Sequence, residues 1–100
     1  MSQKQKILVV EDEEAILNGL LDLLVFNGYE VVGAVDGQDG LDKALAGQFN
    51  LIILDVMMPK LDGFSVCQKI RESDKHVPIV MLTAKSEEDD IVNGLSLINI

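Results

Sequence analysis

Four short runs of consecutive apolar residues punctuate the chain, and each ends abruptly on polar or acidic residues. Ile7-Leu8-Val9-Val10 stops at Glu11-Asp12-Glu13-Glu14, and Val31-Val32-Gly33-Ala34-Val35 runs into the turn pair Asp36-Gly37. Leu51-Ile52-Ile53-Leu54 ends at Asp55, and Ile79-Val80-Met81-Leu82, introduced by Pro78, stops at Thr83. Unbroken runs of this length, rich in β-branched residues, predict strands buried on both faces, as in a parallel sheet.

Helical spacing fills the intervals. Ile16, Leu20 and Leu24 recur at i+4 with Leu17 and Leu21 alongside, and Gly28 supplies the stop. Leu41, Ala44 and Leu45 mark a shorter helix that ends at Gly47; Phe64, Cys67 and Ile70, with Val66 beside them, mark a third. Ser86 followed by Asp89 resembles a capping box with Asp in place of Glu, and Ile91, Val92 and Leu95 give a fourth helix its apolar side. The stretch from Met57 to Gly63 predicts a loop, because Pro59 and Gly63 break regular structure. Strands alternating with helices imply right-handed βαβ crossovers and an α/β fold with a parallel sheet covered on both faces. No linker, repeat or low-complexity stretch interrupts the pattern, so residues 1–100 are expected to form one domain.

Composition narrows the possibilities. Aromatic residues make up 4% of the chain and Trp is absent, so Ile, Leu, Val and Met must fill the core. Seventeen acidic residues against eight basic ones give a net charge of −9, which repels phosphate backbones and argues against direct nucleic-acid binding. Cys67 is the sole cysteine, so no internal disulfide is expected, and at its place in a helical pattern it reads as a small buried hydrophobe. Met1 to Lys6 is short and polar with no long apolar stretch behind it; neither a signal peptide nor a membrane span is expected, and the expected location is cytoplasmic.

The candidate chemistry sits at the strand ends. In an open parallel sheet, ligands gather outside the carboxyl ends of the strands where the strand order reverses. The first strand delivers Glu11 and Asp12 there, the third Asp55 and the fourth Thr83. With strand order 2-1-3-4 the first and third strands are neighbours at the reversal, and the three carboxylates converge. Taken singly, each has an ordinary explanation: acids after a strand suit a helix N-terminus, as Glu13 and Glu14 are read to do, and an Asp closing a strand begins a turn. Together the three repel one another and call for a cation. A hard, oxygen-seeking ion such as Mg²⁺ fits, whereas Ca²⁺ prefers more ligands and a dedicated loop. A metal-bound carboxylate near a hydroxyl suits phosphoryl transfer, and Asp55, ending a central strand, is best placed to accept the group as an aspartyl-phosphate.

The segments Ile7-Leu8-Val9-Val10-Glu11-Asp12-Glu13, Leu51-Ile52-Ile53-Leu54-Asp55-Val56-Met57-Met58-Pro59, Asp62-Gly63 and Pro78-Ile79-Val80-Met81-Leu82-Thr83-Ala84, in this order and spacing, resemble the receiver domain of two-component response regulators. The resemblance implies a flavodoxin-like, doubly wound sheet. It implies that Asp55 is the phosphoacceptor, that Asp12 binds Mg²⁺ directly, that Glu11 helps through water, and that the backbone carbonyl of Met57 completes the protein ligands. Thr83 is then expected to donate its hydroxyl to a phosphoryl oxygen and move with the switch, while Met58-Pro59 and Gly63 shape the loop after the acceptor. The donor histidine belongs to a partner, a sensor histidine kinase or a phosphotransfer protein, so His76 is read as a surface residue. Such a chain is not an enzyme beyond its own phosphorylation and dephosphorylation. A flavodoxin needs a hydroxyl- and glycine-rich loop where Glu11 to Glu14 stand. A haloacid-dehalogenase-type phosphatase needs a second Asp where Met57 stands, and no G-x-G-x-x-G or Walker pattern occurs.

The family pattern continues with a fifth strand, carrying a Lys before Pro, and a fifth helix, about 20 residues beyond the matched part. This sequence reads Leu95-Ser96-Leu97-Ile98-Asn99-Ile100 at its end, so the receiver is expected to be truncated, with strand and helix missing. Neither Lys60 nor Lys85 starts from the strand needed to replace the family's Lys. An uncovered fourth strand is expected to leave an apolar edge that pairs two copies into a homodimer, with Ile98 and Ile100 contributing. The alternative function on this reading is a dimeric interaction or scaffold module that keeps the receiver shell without a working phospho-switch.

Overall fold

The structure, a computed structural model, describes residues 4–58, 61–74, 76–84 and 95–99, and of 83, 84 and 95–99 the backbone alone. The elements in chain order are β1 (Lys6–Val10), α1 (Glu14–Phe26), β2 (Glu30–Ala34), α2 (Gly37–Ala46), β3 (Leu51–Asp55), α3 (Gly63–Ser73), β4 (Ile79–Ala84) and β5 (Leu95–Asn99). They build one sheet in the order β2-β1-β3-β4-β5, in which β1, β2, β3 and β4 pair in parallel as expected. The register runs Val10↔Ala34 and Val10↔Leu54, so the chain leaves β1, β2 and β3 at one level.

The period-2 alternation of the strands divides the core between two faces. On one, Leu8, Val10, Ile52, Leu54, Ile79 and Met81 meet Leu41 of α2 and Val66, Cys67 and Ile70 of α3. On the other, Ile7 and Val9 meet Leu17 of α1, with Leu20, Leu21, Leu24, Val31, Leu51 and Ile53 packed around them. Leu8, Val9 and Leu54 are fully excluded from solvent, which is why β1 and β3 read as continuous apolar runs. Each such side chain stabilises the fold by roughly 1.5–3 kcal/mol through the transfer of its surface out of water. Cys67 is buried in this core, and burial pushes its thiol pKa up, so it packs as the small hydrophobe expected.

Several expectations need correction. The second strand ends at Ala34, and Val35 is exposed, because Asp36 already caps the next helix by accepting from the Asp39 amide at 2.8 Å. Ile16 lies outside the buried stripe of α1; the apolar positions of this helix cover more of its circumference than the sheet can bury, and Leu17, not Ile16, takes the inward place. Gly63 does not end a loop but begins α3. Asp62 caps it through the Ser65 amide at 2.9 Å, and that bond holds the Asp62 carboxyl below its usual pKa.

The largest correction concerns the edge of the sheet. β5 pairs antiparallel with β4 from Val80↔Asn99 to Ala84↔Leu95. The fourth strand is therefore not the open edge on which the expected homodimer depended. Leu95, assigned above to the apolar side of a fourth helix, opens this strand; the same short apolar sequence satisfies period 2 as well as period 3.6, and the unpaired N–H and C=O groups of β4 select the former. The rest of that helix, Ile100, Lys60 and Lys85 lie outside the described residues.

The division between buried and exposed apolar residues yields a direct test. Leu8→Ala should destabilise the fold by about 2–5 kcal/mol in urea unfolding, because the vacated space is walled by both neighbouring strands. Phe26→Ala, at a residue 89% exposed, should change stability by no more than about 0.5 kcal/mol.

Candidate functional site

Parallel pairing of β1 with β3 decides where the acids meet. Since Val10 stands opposite Leu54, the next residues along the two strands, Glu11 and Asp55, leave the sheet side by side. The Glu11 amide donates to the Ala34 carbonyl at 3.0 Å, prolonging the β1–β2 ladder by one rung before the chain turns away. Asp12 follows on the exposed turn into α1. One carboxylate oxygen from each of Glu11, Asp12 and Asp55 lies within 4.8 Å of the other two.

The burial is graded. Glu11 is 5% exposed, the sole buried charged side chain among the described residues, whereas Asp55 is half-buried and Asp12 is exposed. Glu11 Oε2 accepts from the Glu13 amide at 2.9 Å, and Asp55 Oδ1 accepts from the Met57 amide at 3.4 Å. These donors do not compensate for burial among like charges. Burial raises the Glu11 pKa from 4.5 to about 7, opposed by the Glu13 amide and assisted by the charges of Asp55 and Asp12. Asp55 is also raised, first by burial and then by the negative charge of Asp12, against the lowering effect of the Met57 amide.

The acids open into a cavity of about 260 Å³ lined by Glu11, Asp12, Glu13, Ile16, Asp55, Met57 and Leu82. Met57 sits at its mouth and is 72% exposed. Ile16 and Leu82 supply apolar wall; pattern reading placed both in the core, and only the packing of α1 and β4 brings them to the mouth. The backbone of Thr83 follows Leu82, which stands opposite Asp55 in the β3–β4 register; the Thr83 side chain lies outside the description. Larger space, about 790 Å³, lies where β1 and β3 begin, lined by Lys4, Lys6, Glu30, Phe49 and Asp74 among others. It gathers charges of both signs and no set of converging carboxylates, so the smaller cavity is the chemically defined one. His76 is exposed on the approach to β4, its amide donating to Asp74 Oδ1 at 2.9 Å.

Gly63 fits tightly behind the acceptor. A Cβ there would collide with the Asp55 carbonyl oxygen and come within 2.8 Å of Met81 Cε and 2.9 Å of Val56 Cα. The Gly63 amide donates to the Val56 carbonyl at 3.0 Å. The first turn of α3 thus rests directly on the main chain that carries Asp55.

This donor set fits a hard divalent cation. All three groups offer carboxylate oxygens, one is a buried acid held near neutrality in its absence, and neither sulfur nor imidazole stands among them. Bringing a dication to the cluster would favour the charged carboxylates and so oppose the burial and like-charge repulsion that raise the two pKa values.

Comparison with known proteins agrees with this geometry. The family model described as the response regulator receiver domain matches residues 7–98, and the chain belongs to that family. The chain is 52% identical over 93 residues to the alkaline phosphatase synthesis transcriptional regulatory protein PhoP of Bacillus subtilis, covering 93% of this chain and 39% of that protein. It spans about two fifths of the length of the curated relatives it matches. Among solved structures, response regulator TrrA of Thermotoga maritima, in complex with Mg²⁺ and BeF, superposes with a TM-score of 0.78 at 40% identity, covering 82% of this chain and 71% of that one. The receiver domain of sensor histidine kinase PA1611 from Pseudomonas aeruginosa, with magnesium coordinated in its active-site cleft, gives 0.80 at 32% identity, covering 88% and 74%. No helix among the described residues is long and apolar enough to cross a membrane.

The raised Glu11 pKa has a thermodynamic consequence. A carboxyl whose pKa is higher folded than unfolded costs nothing below pH 4.5, and its cost develops as pH rises from there to about 7. Without divalent cations, Glu11→Gln should therefore be more stable than the parent at pH 8 by roughly 3 kcal/mol, and the difference should vanish near pH 4. Mg²⁺ should raise the melting temperature of the parent more at pH 8 than at pH 5.5, since protons and metal compete for the same oxygens.

Proposed function

We propose that the chain is the phosphoacceptor module of a two-component signalling system, with Asp55 as the residue that takes the phosphoryl group. The observation that carries this reading is the convergence of Glu11, Asp12 and Asp55 within 4.8 Å at the strand ends of a receiver fold. Asp12 and Asp55 would hold Mg²⁺ directly, Glu11 through water, and the Met57 carbonyl would complete the protein ligands. When bound, the metal supplies charge neutralisation for the carboxylates and for the incoming phosphoryl oxygens. An Asp55 carboxylate oxygen attacks phosphorus as the P–N bond to a partner's phosphohistidine breaks; the bonding pair stays on the imidazole, which takes up a proton. The Thr83 hydroxyl would donate to a phosphoryl oxygen.

The donor on this reading is a sensor histidine kinase or phosphotransfer protein, and the setting is cytoplasmic. The chain's own chemistry is confined to gaining and losing this one group, so it is no enzyme toward a separate substrate. PhoP and DltR are named as transcriptional regulatory proteins, and the matched part is about two fifths of each. Control of transcription is read as the output of a longer protein, with this part as its phosphorylation input. Self-association and direct contact with nucleic acid are not invoked by this account.

Incubation with Mg²⁺ and acetyl phosphate, followed by intact mass measurement, tests the assignment. The expected outcome is a gain of one phosphoryl group that disappears in Asp55→Asn and on chelation of the metal. A chain that gains no mass under any of these conditions, or an Asp55→Asn variant that gains it equally, contradicts the assignment.

A further inference from the structure

The first turn of α2 packs against Leu61 and Val10, residues that adjoin the acidic site in the chain without lining it. Its start is fixed by the Asp36 cap on the Asp39 amide and by the salt bridge of Asp39 with Lys43 at 3.2 Å. At the head of this turn stands Gly37, buried, with its Cα directly against the backbone of Leu61. A Cβ on Gly37 would overlap the Leu61 carbonyl oxygen and come within 2.8 Å of its carbonyl carbon and 2.9 Å of its Cβ. Two of these three neighbours are main-chain atoms, so no side-chain rotation relieves the contact. The clash would have to be met by moving one backbone away from the other.

On the Leu61 side, Asp62 and Gly63 follow directly, and Gly63 is seated on the main chain of Asp55 and Val56. Asp55 and Met57 both line the acidic cavity. One turn further along the same helix, Gly40 packs against the Val10 side chain, one residue before Glu11. The start of α2 therefore bridges the end of β1, which carries Glu11 and Asp12, and the loop that follows Asp55. Sub-ångström placement of ligand atoms governs metal affinity, and groups that orient ligands without touching the metal matter accordingly.

We infer that Gly37 is a positioning residue for the Mg²⁺ and phosphoacceptor site, acting through its backbone contact with Leu61 to hold Gly63 against the main chain of Asp55 and Val56. The inference rests on the reading of Glu11, Asp12 and Asp55 as the Mg²⁺ site. Gly37→Ala should push Leu61 outward, loosen the seat of Gly63 on the Asp55 main chain, and weaken Mg²⁺ binding while the fold persists.

The test is calorimetric Mg²⁺ titration of the parent, Gly37→Ala and Ile70→Ala, each well below its melting temperature, with phosphoryl uptake from acetyl phosphate measured in parallel. Ile70 is buried in the core beneath α3 and does not line the acidic cavity, so its truncation reports general destabilisation. Gly37→Ala should bind Mg²⁺ about tenfold more weakly and take up phosphoryl more slowly, while Ile70→Ala melts earlier but keeps the parental affinity. An unchanged affinity in Gly37→Ala, or an equal loss in Ile70→Ala, overturns the inference. Should Gly37→Ala not fold, amide NMR of the parent decides. The Gly37 and Leu61 amides should shift with the same Mg²⁺ midpoint as Met57, and a stationary Gly37 amide overturns the inference. Failure of the parent itself to bind Mg²⁺ would instead remove the metal-site reading on which it rests.

Discussion

Mutual repulsion among three carboxylates at the tips of adjacent strands is the constraint around which the rest of this molecule is arranged. Left to themselves, Glu11, Asp12 and Asp55 would separate into solvent. They are held within 4.8 Å because β1 and β3 are central and parallel, with β1 buried on both faces and β3 presenting Ile52 and Leu54 to the core, so that a one-residue slip would turn those two side chains out of it. The core thus supplies the free energy that keeps the charges together; burial first, and the neighbouring negative charges after it, raise the pKa values of Glu11 and Asp55. A divalent cation opposes that rise, so the apolar interior and the affinity for metal are two aspects of one arrangement.

The loop after Asp55 shows how closely the backbone must be packed for this purpose. Glycines at its two contact points, Gly63 and Gly37, let main chains approach where any side chain would intrude. These contacts seat the head of α3 on the main chain of Asp55 and Val56 and the head of α2 on Leu61. Both helix heads are in turn capped by aspartates, Asp62 and Asp36, which tie each first turn down. The acidic pocket beside them has an apolar rim of Ile16, Met57 and Leu82.

Much of this is legible in the sequence, for identifiable reasons. The runs at Ile7, Leu51 and Ile79 are unambiguous because a strand buried on both faces tolerates no polar residue, and the acids that end two of them could only gather at one end of a parallel sheet. Other features depend on contacts between distant segments. Leu95 could extend a helix or open a strand, and the vacancy beside β4 decided it. Ile16 belongs to the same periodic set as Leu17 and Leu20, and only the angle at which α1 crosses the sheet separates the exposed member from the buried ones. Gly63 and Gly37 look like loop punctuation, because nothing local reveals that each faces another backbone.

The central claim is that the acidic cluster holds a divalent ion against Asp55, and anomalous diffraction from crystals grown with Mn²⁺ in place of Mg²⁺ tests it most directly. One strong anomalous peak is expected, bonded to oxygens of Asp12 and Asp55, with the Glu11 carboxylate facing it. A map with no peak there, or with the ion held elsewhere on this acidic chain, would contradict it.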